Sequence, residues 1–121
     1  MTNSTDNWKT QIRKGYLELC ILMLIKQQHK VYGFDLLEKL SNISLDVKEG
    51  TLYPLLNRMS ADGLLTAVWE TENLKGHPRK FYSLTKYGTR FLAEMNIEFE
   101  QMIEIYKQLT KIKNEKGGSP S

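Results

Sequence analysis

The chain has 121 residues, a formal net charge of +3 and a pI near 8.9. Its 40% hydrophobic and 26% charged content is typical of one soluble globular domain. A single cysteine, Cys20, excludes an intrachain disulfide framework, and the longest apolar run, residues 19–25, is far too short to cross a bilayer. The opening "MTNSTDNWKT" has no apolar signal segment, so we expect a cytoplasmic protein that makes no membrane contact.

A long first helix is predicted over residues 8–28, after a polar segment, residues 1–7, that we expect to be disordered. The stretch "YLELCILMLI" is apolar on two sides. A small domain has only one core, so the second apolar side suggests contact with a partner subunit. A short second helix follows in "YGFDLLEKLSN", with Leu36, Leu37 and Leu40 facing inward.

The third predicted helix, "EGTLYPLLNRMSADGLL", contains a proline, Pro54, among apolar residues at helical spacing. Proline is tolerated in a first turn, because the N–H groups there have no intrahelical acceptor. Two starts remain open: Thr51 as the N-cap, which places Pro54 in the first turn, or a start near Glu49, where Gly50 beneath the proline ring relieves part of the clash. The helix is expected to stop at "DG", since glycine favours the left-handed C-terminal position.

A two-stranded hairpin is predicted from "LLTAVWETE" and "RKFYSLT", because both segments are rich in β-branched and aromatic residues. Between Asn73 and Ala93 the sequence contains no Asp or Glu. That window holds the basic residues Lys75, His77, Arg79, Lys80, Lys86 and Arg90. A charge run can be merely solvated surface, but its position beside the third helix favours a nucleic-acid contact.

The longest predicted helix spans residues 85–113, with Thr85 as its N-cap. Its apolar residues alternate spacings of three and four, as in the seam of a coiled coil: Leu92, Met95, Phe99, Met102, Tyr106 and Leu109. We expect the tail, residues 114–121, to be disordered. The element order predicts a mainly α fold with a small β-hairpin (α+β): a winged helix-turn-helix domain in residues 1–84 and a C-terminal dimerisation helix in residues 85–113.

The start of the third helix is the candidate site of DNA recognition. Its free N–H groups and the positive end of the helix dipole attract phosphate, and in a helix-turn-helix this end enters the major groove. With the leucines facing the core, four residues remain outside: Thr51, Tyr53, Asn57 and Arg58. Asn can pair with adenine, Arg with guanine or phosphate, and a Tyr hydroxyl with phosphate. The alternative is that Asn57 and Arg58 only solvate the helix surface.

Three stretches, "VYGFDLLEKL", "GTLYPLLNRMSADGLL" and "GHPRKFYSLTKYG", resemble the PadR family of winged-helix transcriptional regulators. The single C-terminal helix is similar to that of the family's short subgroup. The resemblance implies a bacterial or archaeal homodimer, usually a repressor, that binds double-stranded DNA. It implies DNA contacts by Tyr32 near the backbone, by Thr51, Tyr53, Asn57 and Arg58 in the recognition helix, and by Lys75, His77, Arg79 and Lys80 in the wing. Base-reading positions vary among members, so the operator sequence is not implied.

The resemblance also implies that the C-terminal helix of each subunit packs against the partner, including its first helix. The expected interface residues are Tyr16, Leu19, Met23, Leu92, Met95, Phe99, Met102, Tyr106 and Leu109. Some family members bind flat aromatic or multidrug compounds at this interface, and here Trp8, Met95, Phe99 and Met102 would line such a pocket. The alternative is that the methionine and aromatic stripe only packs the dimer.

No catalytic, metal or cofactor motif accompanies these features. Cys20 lies within an apolar run, where a thiol stays protonated and unreactive, and His29 and His77 form no spaced cluster with it. We find no nucleophile–base signature, P-loop or dinucleotide glycine motif, so we expect neither an enzyme nor a cofactor. The rival hypothesis is a winged helix that binds an acidic protein surface and has no specific DNA target.

Overall fold

The computed structural model of the chain describes residues 4–70 and 79–116, with side chains up to residue 111. The helices and strands follow the predicted order, with one added strand: α1 Ser4–Gln28, β1 Val31–Tyr32, α2 Gly33–Asn42, α3 Glu49–Ala61, β2 Leu65–Glu70, β3 Arg79–Leu84 and α4 Lys86–Lys116. The strands form an antiparallel sheet in the order β1-β3-β2. This arrangement is the predicted winged helix-turn-helix followed by a long helix.

The first helix begins earlier than the sequence pattern indicated. It starts at Ser4, so the expectation of disorder is wrong for residues 4–7, while residues 1–3 lie outside the described residues. Asp6 lies in the first turn, where a carboxylate complements the positive end of the helix dipole. The Thr10 hydroxyl donates a hydrogen bond to the carbonyl of Asp6 at 3.0 Å. Helix geometry therefore extends over a segment that has no apolar periodicity to reveal it.

A single core lies between α1, α2, α3 and the inner face of the sheet. Its fully buried members include Ile21, Leu22 and Ile25 from α1, together with Leu36 and Leu40 from α2. Leu37, which was predicted to face inward as well, is only partly buried against this core. α1 packs on α2, β3 and α4, so this one helix contacts most of the subunit.

Two residues predicted for the dimer interface belong to the subunit's own core. Leu19 of α1 is 5% exposed and Leu92 of α4 is 1% exposed, because α1 and α4 pack against each other within one chain. Both side chains are therefore covered by residues of their own subunit. Met95 is partly buried against the same core.

The third helix has the second of the two predicted starts. α3 begins at Glu49 with Lys48 as its N-cap, so Thr51 is not the cap and Pro54 is the sixth helical residue. At that depth the ring of a proline crowds the carbonyl group four residues earlier, which belongs to Gly50. A Cβ atom at Gly50 would have no atom within 4 Å, so the missing side chain does not account for the fit of the ring. The helix ends before Gly63, whose φ of +84° is the left-handed value predicted for this stop.

The short strand β1 was not predicted. Val31 pairs with Tyr82 and Tyr32 with Phe81 of β3, which converts the expected two-stranded hairpin into a three-stranded sheet. Two residues are too few to show an alternating pattern, and their partners lie about fifty positions away in the sequence. The added strand ties the start of α2 to the hairpin, which would be only marginally stable alone.

The joint between β3 and α4 consists of one residue, Thr85. Its hydroxyl donates to the Gly63 carbonyl at 2.6 Å and accepts from the Gly88 N–H at 2.8 Å, which confirms Thr85 as the N-cap. A Cβ atom at Gly88 would overlap the carbonyl oxygen of Leu64, so only glycine allows this approach. α4 continues to Lys116, so the tail prediction is wrong for residues 114–116, and residues 117–121 lie outside the described residues.

Candidate nucleic-acid interface

A groove of about 340 Å³ lies between the start of α2, the exposed side of α3 and the hairpin. We call it the wing groove; its lining residues are Tyr32, Gly33, Tyr53, Asn57, Trp69, Lys80 and Tyr82. Four of the predicted DNA-contacting residues, Tyr32, Tyr53, Asn57 and Lys80, therefore meet in one place. They come from three different elements of the fold.

Tyr53 and Asn57 share this groove because they are four residues apart on α3, and a helix places such residues on one side. Tyr53 reaches the start of α2 because Gly33 has no side chain there. A Cβ atom at Gly33 would lie 3.2 Å from both the Tyr53 ring and the Tyr82 ring. The glycine therefore lets α2, α3 and β3 approach closely at the base of the groove.

Arg79 and Lys80 of β3, and Lys30 in the turn before β1, lie over aromatic rings. The Arg79 guanidinium is 4.9 Å from the Tyr32 ring centre, and the Lys80 ammonium is 5.3 Å from Trp69 and 5.8 Å from Tyr82. Lys30 lies 4.8 Å from the Phe81 ring. Such cation–π contacts orient the long side chains while their charged ends stay accessible. The wing groove and the outer face of the sheet are thus both edged with cations.

Burial affects the ionisation of Tyr53 and Tyr82 in the wing groove. It raises the pKa of Tyr53 above the ordinary tyrosine value of 10.0, and the Glu49 carboxylate and Tyr32 raise it further. Burial likewise raises the pKa of Tyr82, with an added contribution from Tyr53. Both hydroxyls are therefore neutral at physiological pH. The Tyr53 hydroxyl can donate a hydrogen bond to a phosphate oxygen.

Thr51 and Arg58 lie on the other side of α3. They line a surface groove facing α1, together with Lys14, Leu17, Glu18, Pro54 and Leu55. Arg58 forms an ion pair with Glu18 of α1, so it is not the unpartnered side chain that helical spacing alone indicated. The four predicted α3 residues are therefore divided between two sides of the helix. Lys75 and His77, predicted for the wing, lie outside the described residues.

Three residues of the wing groove were missed by the sequence reasoning. Trp69 on β2 is 58% exposed although it is large and aromatic, and an exposed tryptophan in a strand facing a basic neighbour is a signal that could have identified it. Gly33 and Tyr82 could not have been found, because their role depends on the approach of α3 to the sheet.

A second, apolar groove of about 570 Å³ lies between α1 and α4. We call it the α1–α4 groove; its lining residues are Ile12, Gly15, Tyr16, Leu19, Met95, Glu98, Phe99 and Met102. Three of the four predicted effector-binding residues, Met95, Phe99 and Met102, line it. The fourth, Trp8, does not, although it is one turn before Ile12 on α1 and 61% exposed.

The remaining predicted interface residues lie at the surface. Met23 is 37% exposed, and Tyr106 and Leu109 on α4 are 69% and 64% exposed. From Ile97 to Lys111 every side chain of α4 is exposed. This half of the helix carries an exposed apolar stripe, of which Phe99 and Met102 also line the α1–α4 groove.

Two other classes of site were searched for in the described residues. No group of three or more His, Cys, Asp or Glu side chains could hold a metal ion there. Burial raises the pKa of the Cys20 thiol, which favours its protonated form. None of the described helices has both the length and the apolar character needed to span a membrane.

Comparison with known proteins identifies the family. The model of the Transcriptional regulator PadR-like family matches residues 21–94. A PadR-like transcription factor from Bacteroides fragilis is 42% identical with a TM-score of 0.73, and the match covers 85% of this chain and 98% of that chain. A PadR-like transcriptional regulator from Bacillus cereus is 35% identical with a TM-score of 0.72, covering 83% of this chain and 96% of that chain.

A curated relative is likewise named as a transcriptional regulator. A transcriptional regulator of Mycobacterium tuberculosis is 38% identical over 74 residues, which is 61% of this chain and 67% of that protein. The matched regions contain α2, α3 and the strands of the wing groove. The chain therefore belongs to the PadR-like family of transcriptional regulators, and its fold is the winged helix of that family.

Proposed function

We propose that this protein is a homodimeric, sequence-specific repressor that binds duplex DNA through α3 and the wing. The observation that carries the proposal is the wing groove, where Tyr53 and Asn57 of α3 lie beside Lys80 of β3. A polar helix surface next to a cationic hairpin fits a major groove and its adjacent phosphates. Repression would be steric, because the bound dimer covers its DNA site.

The roles of individual residues follow from their chemistry. The Asn57 amide presents one donor and one acceptor, the combination that reads the major-groove edge of adenine. The Tyr53 and Tyr32 hydroxyls suit phosphate oxygens, and Arg79 and Lys80 suit the backbone beside the groove. In this proposal Lys75 and His77 extend the same contact.

The dimer part of the proposal is supported by α4. Its residues Ile97–Lys111 are exposed along their whole length, yet Phe99, Met102, Tyr106 and Leu109 form an apolar stripe. An isolated helix of about 15 residues is only marginally stable in water. Packing against the same stripe of a second copy would bury these apolar side chains and stabilise the helix. We assign residues 1–84 to the DNA-binding unit and residues 85–113 to the dimerisation helix.

The effector part of the proposal is supported by the α1–α4 groove. Its lining is mostly apolar, with Tyr16, Phe99 and two methionines whose flexible side chains adapt to different flat molecules. Its one carboxylate, Glu98, favours neutral or cationic compounds. A small aromatic or multidrug-type compound bound there would contact the helix that joins the subunits and release the DNA.

The experiment that tests the proposal is fluorescence-anisotropy binding to duplex DNA from the region upstream of the gene, with a scrambled duplex as the reference. The parent is compared with Arg79→Ala/Lys80→Ala across a salt series. Each lost phosphate contact is expected to reduce the log–log salt slope by about 0.9. The neutral aromatic probe N-phenylnaphthylamine is then added to the complex, and release of the upstream duplex is expected.

Tight upstream binding with a steep salt slope, and a flatter slope in the variant, would support a specific regulator that uses its wing. Equal weak binding to both duplexes would contradict sequence specificity. Bound DNA that is unaffected by the aromatic probe at saturation of the groove would contradict the effector part alone.

A further inference from the structure

A third cavity, of about 550 Å³, lies on the side of α3 opposite the wing groove. It is open to solvent between the first half of α1 and the turn that leads into α3. We call it the basic cleft; its lining residues are Lys9, Thr10, Arg13, Lys14, Leu17, Asp46, Val47, Lys48 and Thr51. None of its basic residues belongs to the DNA-contacting set described above.

The charges that line the basic cleft are strongly unbalanced. Four cations, Lys9, Arg13, Lys14 and Lys48, face one carboxylate, Asp46. All four cations are exposed, and within the described residues none of them forms an ion pair with a carboxylate. Arg58, one groove further along α3, does have such a partner in Glu18. The basic cleft therefore has a positive charge that the described residues do not neutralise, and it attracts anions.

The sequence places these charges in a row. Lys9, Arg13 and Lys14 lie along one side of α1, in line with Leu17, which anchors that side in the core. Lys48 is the N-cap of α3, where the first N–H groups of the helix have no intrahelical acceptor. The exposed Thr51 lines both the basic cleft and the groove beside Arg58. The row of cations thus begins on α1 and ends at the start of the recognition helix.

The length of the basic cleft along α1 favours a polyanion over a single small ion. Lys9 and Lys14 are separated by about 7.5 Å along the α1 axis at a rise of about 1.5 Å per residue. A DNA strand carries a phosphate about every 3.4 Å along its axis, so this span is about twice the axial distance between successive phosphates. The cleft is continuous with α3, the helix assigned above to the major groove.

We propose that the basic cleft binds the DNA backbone, as a second phosphate anchor on the side of α3 away from the wing. The recognition helix is then held between two backbone contacts, one by the wing and one by α1. This inference rests on the proposed function and adds α1 residues to the DNA-binding surface. The contact carries no sequence information, because phosphates are the same at every base pair.

The test uses the full-length chain and the anisotropy assay with both upstream and random duplexes. Lys9→Gln/Arg13→Gln is compared with Lys107→Gln/Lys111→Gln, which removes the same charge from exposed positions of α4. The cleft variant is expected to bind both duplexes more weakly by the same factor, on the order of tenfold or more near 0.1 M salt, with a slope reduced by about 1.8. The α4 variant is expected to match the parent.

A second pair, Lys14→Gln/Lys48→Gln, repeats the test with the other two cations, one from α1 and one from the start of α3. Circular dichroism verifies that each variant is folded. An unchanged salt slope in both cleft variants, with a flatter slope in Arg79→Ala/Lys80→Ala, would overturn the cleft anchor and leave the proposed function intact. Equal losses in the cleft and α4 variants would overturn it as well, because net charge alone would then explain the effect. A parent chain that binds no duplex at low salt would overturn both proposals.

Discussion

Arg58 illustrates how much the surroundings of one side chain change its role. Its neighbour Asn57 faces the wing groove, whereas Arg58, turned by about 100° around the helix, faces α1 and pairs with Glu18. Because the side chains of Arg58 and Glu18 are 51% and 26% exposed, the pair stabilises the fold little. Its main effect is to neutralise a cation that lies beside the basic cleft.

Replacing Glu18 with glutamine is expected to strengthen DNA binding. Glu18→Gln removes the carboxylate and leaves Arg58 free to contact phosphate, so affinity for any duplex should rise several-fold and the salt slope should steepen by up to about 0.9. Anisotropy across a salt series measures both quantities. Glu104→Gln on α4 makes the same charge change at an exposed position and serves as the control. If the two variants behaved alike, the Arg58–Glu18 pair would have no part in DNA affinity.

For single residues, the sequence predicts a position where local helix geometry determines it and fails where a distant contact determines it. Tyr53 and Asn57 could be assigned to one surface because a spacing of four fixes their common side on a helix. The partner of Arg58 could not be predicted, since Glu18 is forty positions away and the contact depends on how α1 crosses α3. For the same reason Leu19 and Leu92 were assigned to a dimer interface although both belong to the core of one subunit.

At the scale of elements, the joint between the hairpin and α4 positions the longest helix. The Thr85 backbone N–H donates to the Leu64 carbonyl at 3.1 Å, its hydroxyl donates to Gly63, and Gly88 packs directly on Leu64. Helix α4, the strand β3 and the turn after α3 therefore meet within a few ångströms.

The substitution Gly88→Ala is expected to destabilise the fold strongly. The new Cβ would overlap the Leu64 carbonyl oxygen and lie 3.0 Å from its carbon, and backbone atoms cannot rotate away as a side chain can. Overpacking of this kind lowers the free energy of unfolding by on the order of 3 kcal/mol. Chemical denaturation monitored by circular dichroism measures it.

Gly50→Ala is the matched control for Gly88→Ala, because nothing lies within 4 Å of a Cβ atom at Gly50. Alanine is also the better helix former, so the control should be as stable as the parent or slightly more stable. Equal stability of the two variants would contradict the close packing at the joint.

The ends of helices and strands are predictable from the sequence where local chemistry sets them. The stop of α3 at Gly63 and the N-cap at Thr85 were predicted because each depends on local chemistry: a left-handed φ and a hydroxyl beside free N–H groups. The strand β1 was missed because it exists only by pairing with β3. Likewise the first turn of α1 is helical without an apolar pattern, so a search for periodicity begins the helix too late.

For the whole molecule, the exposed half of α4 determines the expected assembly. Tyr106 and Leu109 are 69% and 64% exposed within the subunit, so acidic substitutions there cost the subunit itself little. In a dimer the same positions would be buried, and an unpaired charge would then be costly.

The variant Tyr106→Glu/Leu109→Glu is therefore expected to be a folded monomer. Sedimentation equilibrium should give a mass near 14.1 kDa for the variant and twice that for the parent, and DNA affinity should fall because one subunit holds one half-site. Gln101→Glu/Gln108→Glu places two acids on the opposite side of α4 and should remain dimeric. A parent chain that sediments as a monomer at micromolar concentration would refute the proposed dimer.

The one-residue joint at Thr85 has a consequence for how a compound bound beside α4 affects DNA binding. Because a single residue joins β3 to α4, we expect the wing and α4 to move together as a rigid unit. Helix α4 is about 46 Å long for its 31 residues. If α4 rotates by about 5° about its C-terminal end, its N-terminus and the adjoining wing move by about 4 Å. This displacement exceeds the ~3.4 Å between successive phosphates along the axis of a strand. In the proposed dimer, a molecule that tilted each α4 by that amount would therefore shift each wing out of register with its phosphates without touching the DNA.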